Sequence, residues 1–135
     1  MATNFPVSRL KKIFGLLFLL ALVFCSYLFF SQQDVPTDIA HSDKYGHIIV
    51  FFGLSLLLYN SAAISRWAQM AILTSYGVAV EVIQSYIPYR SGGIDDVIAD
   101  VIGILLFYVG AYLVQHKLGG NKFGGKKLRG TNKHD

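Results

Sequence analysis

Charge is what this chain has least of. Only 15% of its residues are Asp, Glu, Lys or Arg, while 53% are apolar. A soluble domain carries about 25% charged residues, so the balance excludes an ordinary water-soluble fold and points to a membrane protein. Cysteine is equally scarce: Cys25 stands alone in an apolar run, forms no intrachain disulfide and reads as a small apolar filler. No Ser, His and Asp set stands at nucleophile spacing, and no glycine-rich loop follows a strand pattern, so neither serine hydrolysis nor nucleotide binding is indicated. Small residues are missing where a signal-peptide cleavage site needs them, and bulky Phe24 directly precedes Cys25, which disfavours a cleaved leader and a lipoprotein anchor. The length of 135 residues leaves room for one domain.

Apolar runs supply the architecture. Arg9, Lys11 and Lys12, in a basic segment 1–12, precede an uncharged stretch of eighteen residues, Ile13 to Phe30, just long enough to cross a bilayer as a helix. Ser31 to Lys44 is polar, holds Pro36, and reads as an exposed connection. Further spans are expected at about 45–64, 68–87 and 95–114. The turn Ser65, Arg66, Trp67 makes the second and third antiparallel neighbours, and Pro88 with the Gly92-Gly93 pair ends the third and returns the chain. The segment 115–135, rich in Gly and Lys, has little to bury and is expected to be a disordered basic tail. The fold class expected is therefore an all-α integral membrane protein, a compact bundle of four transmembrane helices over 13–114. Ten of the twelve Lys and Arg fall at the two termini and the Arg66 turn, which predicts cytoplasmic termini in the inner membrane of a bacterium. Tyr45, Tyr86 and Tyr89 then mark the outer interface, and Tyr59, Trp67 and Tyr112 the inner one.

The few remaining polar residues gather on the outer side. Asp43, Lys44 and His47 open the second span, Glu81 and Gln84 lie in the outer part of the third, Arg90 is in the turn, and Asp96 and Asp100 open the fourth. Glu81 lies roughly 9 Å inward from Ile87, and Asp100 roughly 6 Å inward from Asp96, which describes a shallow polar pocket open outward. Gly77, Glu81 and Gln84 share one helix face, as do Asp96, Asp100 and Gly103. Those stripes predict close packing of the third helix on the fourth, with carboxylates meeting across the seam and Arg90 as their main partner. Each group also has a plainer reading. Asp43, Lys44 and His47 alone make an ordinary interfacial helix start, Gln84 is interhelical glue, and Arg90 with Asp96 can be a structural ion pair. Glu81, among Val80, Val82 and Ile83, requires a partner from another helix.

The pattern Asp43-Lys44-x-x-His47, Glu81-x-x-Gln84, Pro88-x-Arg90 and Asp96-x-x-x-Asp100-x-x-Gly103 resembles the VanZ-like membrane protein family, named for a teicoplanin resistance accessory protein. The resemblance spans helices two to four. It implies a bundle of about four membrane helices and marks Lys44, His47, Glu81, Gln84, Arg90 and Asp96 as the family's polar set, without implying a reaction. The family usually has Asn where this chain has Asp100, so this chain carries an additional carboxylate.

Two functional readings stand side by side. In the first, a cell-envelope protein binds a lipid head group or lipid-linked precursor through Asp43, Lys44, His47, Glu81, Gln84, Arg90, Asp96 and Asp100, and modulates teicoplanin susceptibility. In the second, an intramembrane hydrolase or transferase acts on a lipid-linked substrate, with Glu81, Asp100 and His47 as catalytic candidates. A divalent cation is an open cofactor for that enzyme, with Asp43, His47, Glu81, Asp96 and Asp100 as ligand candidates and Arg90 and Lys44 competing for the same carboxylates. Proton-coupled transport is weaker, because the inner halves of the helices lack ionisable residues. The expected partners are membrane lipids; the basic tail lacks the aromatic spacing of a nucleic-acid surface and suits anionic lipid instead.

Overall fold

The computed structural model describes residues 7–32, 42–90 and 92–123. Among these residues there are four helices and no strand: α1 Val7–Phe30, α2 Ser42–Ser61, α3 Arg66–Ser85 and α4 Ile94–Phe123. The ends follow local chemistry. Ser65 caps α3, its side chain accepting from the Ala68 N–H at 3.2 Å. The α4 helix begins immediately after Gly92 and Gly93 and carries Asp95 and Asp96 in its first turn, where negative side chains suit the positive helix end.

Several boundaries differ from expectation. The α3 helix starts at Arg66 behind its Ser65 cap, so Arg66 and Trp67 belong to the helix and the turn is residues 62–65; α2 starts at Ser42 rather than 45. Arg9, Lys11 and Lys12 lie inside α1, because no helix breaker separates them from the apolar run. The α4 helix continues past Val114 to Phe123, so residues 115–123 extend the helix rather than belonging to a disordered tail. Leu113 to Leu118 are acceptable helix formers, and after Gly110 the next glycines come only at Gly119 and Gly120. The rest of the expected tail and most of the expected exposed connection lie outside the described residues.

By length and composition, two of these helices can cross a membrane, Val7–Phe30 and Ile94–Gly119. The α2 and α3 helices fall short by the same measure; Lys44, His47 and Asn60 in one, and Gln69, Glu81 and Gln84 in the other, lower their mean hydropathy. Apolar side chains line the outside of the bundle, among them Leu16, Val23, Phe24, Ile49, Ile98 and Leu106. Such a surface suits lipid better than water.

The α2 helix is central and touches the other three, packing most extensively on α4 and α1. Phe51 and Leu54 of α2, Leu73 and Val80 of α3 and Ile104 of α4 belong to the buried core. The glycine stripes follow the expected seam in part: Gly77 of α3 faces Asp100 of α4, whereas Gly103 turns to α2. A Cβ at Gly103 would stand 2.4 Å from the backbone oxygen of Ile48, so Gly103 is where α4 meets the α2 backbone. A Cβ at Gly77 would stand 2.5 Å from Asp100 Oδ2, so that glycine makes room for a carboxylate.

Candidate functional site

The starts of α2 and α4 and the ends of α1 and α3 meet at one end of the bundle. There His47, Glu81 and Asp100 converge, each no more than 5% exposed. His47 Nδ1 lies 2.8 Å from Asp100 Oδ1 and 3.7 Å from Glu81 Oε1. The imidazole is oriented by stacking on the Phe29 ring, with centroids 4.7 Å apart. Glu81 is oriented from its other oxygen, since Gly93 N–H donates to Oε2 at 2.9 Å and leaves Oε1 turned toward His47. Gly92 permits that arrangement: a Cβ there would stand 2.6 Å from the Glu81 carbonyl oxygen, so the returning turn lies directly on α3.

The trio is short of donors. Two carboxylates face one imidazole, and Glu81 Oε1 and Asp100 Oδ2 are buried without a hydrogen-bond partner. Burying an ionised carboxylate without compensation costs several kcal/mol or more, roughly, so the arrangement suits an added proton, donor group or cation. It can hold a cation between its acceptors, or let an Asp-oriented imidazole take a proton from a bound group.

Arg90 is not the carboxylates' partner that the sequence suggests. Its Nη2 donates to the carbonyls of Leu28 at 2.8 Å and Ser31 at 3.0 Å, which caps the negative C-terminal end of α1. Gln84 Nε2 donates to Phe29 O at 2.8 Å, and Tyr89 Oη to Phe30 O at 3.0 Å, so the same helix end is held from three side chains. Lys44 pairs with exposed Asp95 at 3.1 Å. Asp96 lies partly buried one turn before Asp100. Asp43 is the second residue of α2, and its side chain lies outside the described residues. The trio is thus enclosed, in contrast to the open pocket expected, and sits below a more accessible layer containing Lys44, Arg90 and Asp96.

Sequence reasoning passed over Phe29, the Gly93 N–H and the end of α1. Backbone carbonyls and an apolar ring carry no composition signal; the only hint was that Gln84 and Arg90 needed acceptors. It also passed over Gln69 at the opposite end. Gln69 Nε2 donates to the α2-end carbonyls of Ala62 at 3.3 Å and Ile64 at 3.4 Å, and its Oε1 accepts from Tyr108 Oη at 2.7 Å.

A family model described as VanZ/LLP1 matches residues 7–115 and so takes in α1 as well as the polar helices. An uncharacterised fission yeast protein, C11E3.10 of Schizosaccharomyces pombe, is 33% identical over 101 residues, which cover 71% of this chain and 60% of that protein. No solved structure matches.

Proposed function

The chain belongs to the VanZ/LLP1 family, and we propose that it is a four-span envelope membrane protein that receives a polar lipid head group at the His47, Glu81 and Asp100 end. The α2 and α3 helices, twenty residues each, are about 30 Å long and cross as the polar-lined interior of the bundle. Both termini lie on the cytoplasmic side, in keeping with the distribution of Lys and Arg. The observation that carries the reading is the pair of buried acceptors without partners, Glu81 Oε1 and Asp100 Oδ2. A ligand that satisfies them brings donors or positive charge, as an ammonium or hydroxyl head group does. The relative in a fission yeast favours a head group of general membrane lipids over one confined to a bacterial wall precursor. Modulation of teicoplanin susceptibility, where it occurs, follows from occupying or altering such lipids at the envelope.

The test pairs binding with phenotype. Detergent-purified wild type is expected to retain a lipid in native mass spectrometry that Glu81→Gln loses, and cells expressing wild type to gain teicoplanin protection that Glu81→Gln lacks at matched membrane levels. Equal lipid retention by the two proteins overturns the head-group reading. Protection no better than an empty vector overturns the glycopeptide role alone.

A second reading, an intramembrane hydrolase or transferase on a lipid-linked substrate, is favoured by the 2.8 Å pairing of His47 with Asp100, which orients an imidazole as a general base would be oriented. Lipid profiling of strains with and without the chain checks it: turnover of one lipid class abolished by His47→Ala supports it, and unchanged profiles sink it.

A further inference from the structure

We propose that His47, Glu81 and Asp100 bind one divalent transition-metal ion, zinc foremost, through His47 Nδ1, Glu81 Oε1 and a carboxylate oxygen of Asp100. The proposal concerns the same site as the enzyme reading and would supply that reading with its cofactor, but metal binding does not require turnover. One ligand atom from each of the three residues can be chosen so that all lie within 4.8 Å of one another. Ligands about 2.0–2.2 Å from a tetrahedral zinc ion stand roughly 3.3–3.6 Å apart. The imidazole-to-carboxylate distances here, 2.8 and 3.7 Å, bracket that value.

Three further observations point to a ligand. Glu81 Oε1 and Asp100 Oδ2 are fully enclosed acceptors with no partner, on residues 5% and 0% exposed. Charge balances as well: a neutral imidazole and two carboxylates sum to minus two, which a divalent ion cancels in a region where uncancelled charge is costly. The supporting contacts are those of oriented metal ligands, with Gly93 N–H holding the far oxygen of Glu81 and the Phe29 ring fixing the imidazole plane. One nitrogen and two carboxylates favour zinc, manganese or iron over calcium and magnesium, which prefer more oxygen donors. Three protein ligands leave a coordination position open, as catalytic sites do and closed structural sites do not. Binding through Nδ1 requires the neutral imidazole to carry its proton on Nε2, which leaves the Nδ1 lone pair for the ion.

The full chain, purified in detergent through a tag without histidine and without chelator, is analysed for bound metal, then stripped and reloaded with cobalt. The expected result is about one ion per chain and a visible cobalt absorption that zinc abolishes. At least a ten-fold loss of metal is expected in Glu81→Gln and in Asp100→Asn, with Asp95→Asn, the exposed acid, keeping its ion. A wild type that carries no ion and takes up neither zinc, cobalt nor manganese overturns the proposal, as does undiminished metal in Glu81→Gln and Asp100→Asn. Should those variants fail to fold, the cobalt titration of wild type alone decides. Metal without lipid binding sinks the head-group reading and leaves this one standing; lipid binding without metal does the reverse.

Discussion

Both ends of the bundle bury polar side chains, but they treat them in opposite ways. At the Gln69 end, one amide serves two α2-end carbonyls and accepts from Tyr108, while the Arg66 guanidinium lies 3.6 Å from the centre of the Tyr59 ring. At the His47 end, Glu81 Oε1, Arg90 Nε and Asp100 Oδ2 are buried without hydrogen-bond partners, and among the described residues such atoms occur at this end alone. A satisfied network holds helices together, and removing it costs stability. An unsatisfied one lowers stability as it stands and persists where something else completes it. Hydrogen-bond satisfaction distinguishes the two ends where burial does not, since Gln69 and Asp100 are equally inaccessible.

The largest effect is expected at Gly103. Gly103→Ala puts a methyl group against the Ile48 carbonyl and pushes α4 off α2, costing stability near the upper end of about 1–3 kcal/mol and disrupting the trio. Detergent unfolding curves check it, and an unshifted midpoint contradicts the close approach. Next comes Gln69→Ala, which strands two carbonyls and the Tyr108 hydroxyl and should cost about 2 kcal/mol. Lipid retention by the folded fraction should remain at wild-type level; a specific loss of binding would mean the Gln69 end is not mere glue.

Arg90→Ala is expected to cost about 1–2 kcal/mol by uncapping α1, with Gln84 and Tyr89 still holding that helix end. Faster proteolysis or hydrogen exchange confined to residues near Leu28 would show it, and uniform exchange would argue against the clamp. Glu81→Gln sharpens the contrast most. It removes a buried charge, so stability in the absence of ligand should change by less than about 1 kcal/mol or rise, while lipid retention is lost. A large destabilisation would place Glu81 with the glue. The smallest effect belongs to Lys44→Met: its pair with Asp95 is exposed, and a loss of roughly 0–1 kcal/mol is expected in a thermal midpoint measurement.

The α1 and α4 helices are legible because apolar runs long enough to cross a membrane have few other uses, and the polar set because charges are rare in such a chain. His47, Glu81 and Asp100 could be assigned to one end of the bundle from their places along the spans. Their order of contact could not. Helix rotation decides which face of α4 Gly103 occupies, and a glycine stripe looks the same whether it meets α3 or α2. Arg90 looked like the carboxylates' partner because Coulomb attraction is the evident need of a guanidinium. The end of α1 offered an equal need, carbonyls with no helical partner, that leaves no mark in the sequence. The site is enclosed rather than open for a related reason: depth along a helix is readable in the sequence, whereas enclosure by Phe29 and the Gly92-Gly93 turn depends on neighbours.

Composition and periodicity act on each segment independently, and they suffice for the helical class, the apolar outer surface and the few charges carried into the bundle. Packing between segments makes α2 central, turns Arg90 and Gln84 to the carbonyls at the end of α1, and stands one imidazole between two carboxylates with two acceptors left over. Those facts depend on the rotation and close approach of helices, set by packing around Gly77, Gly92 and Gly103, and packing is a property of pairs of segments that no single segment encodes.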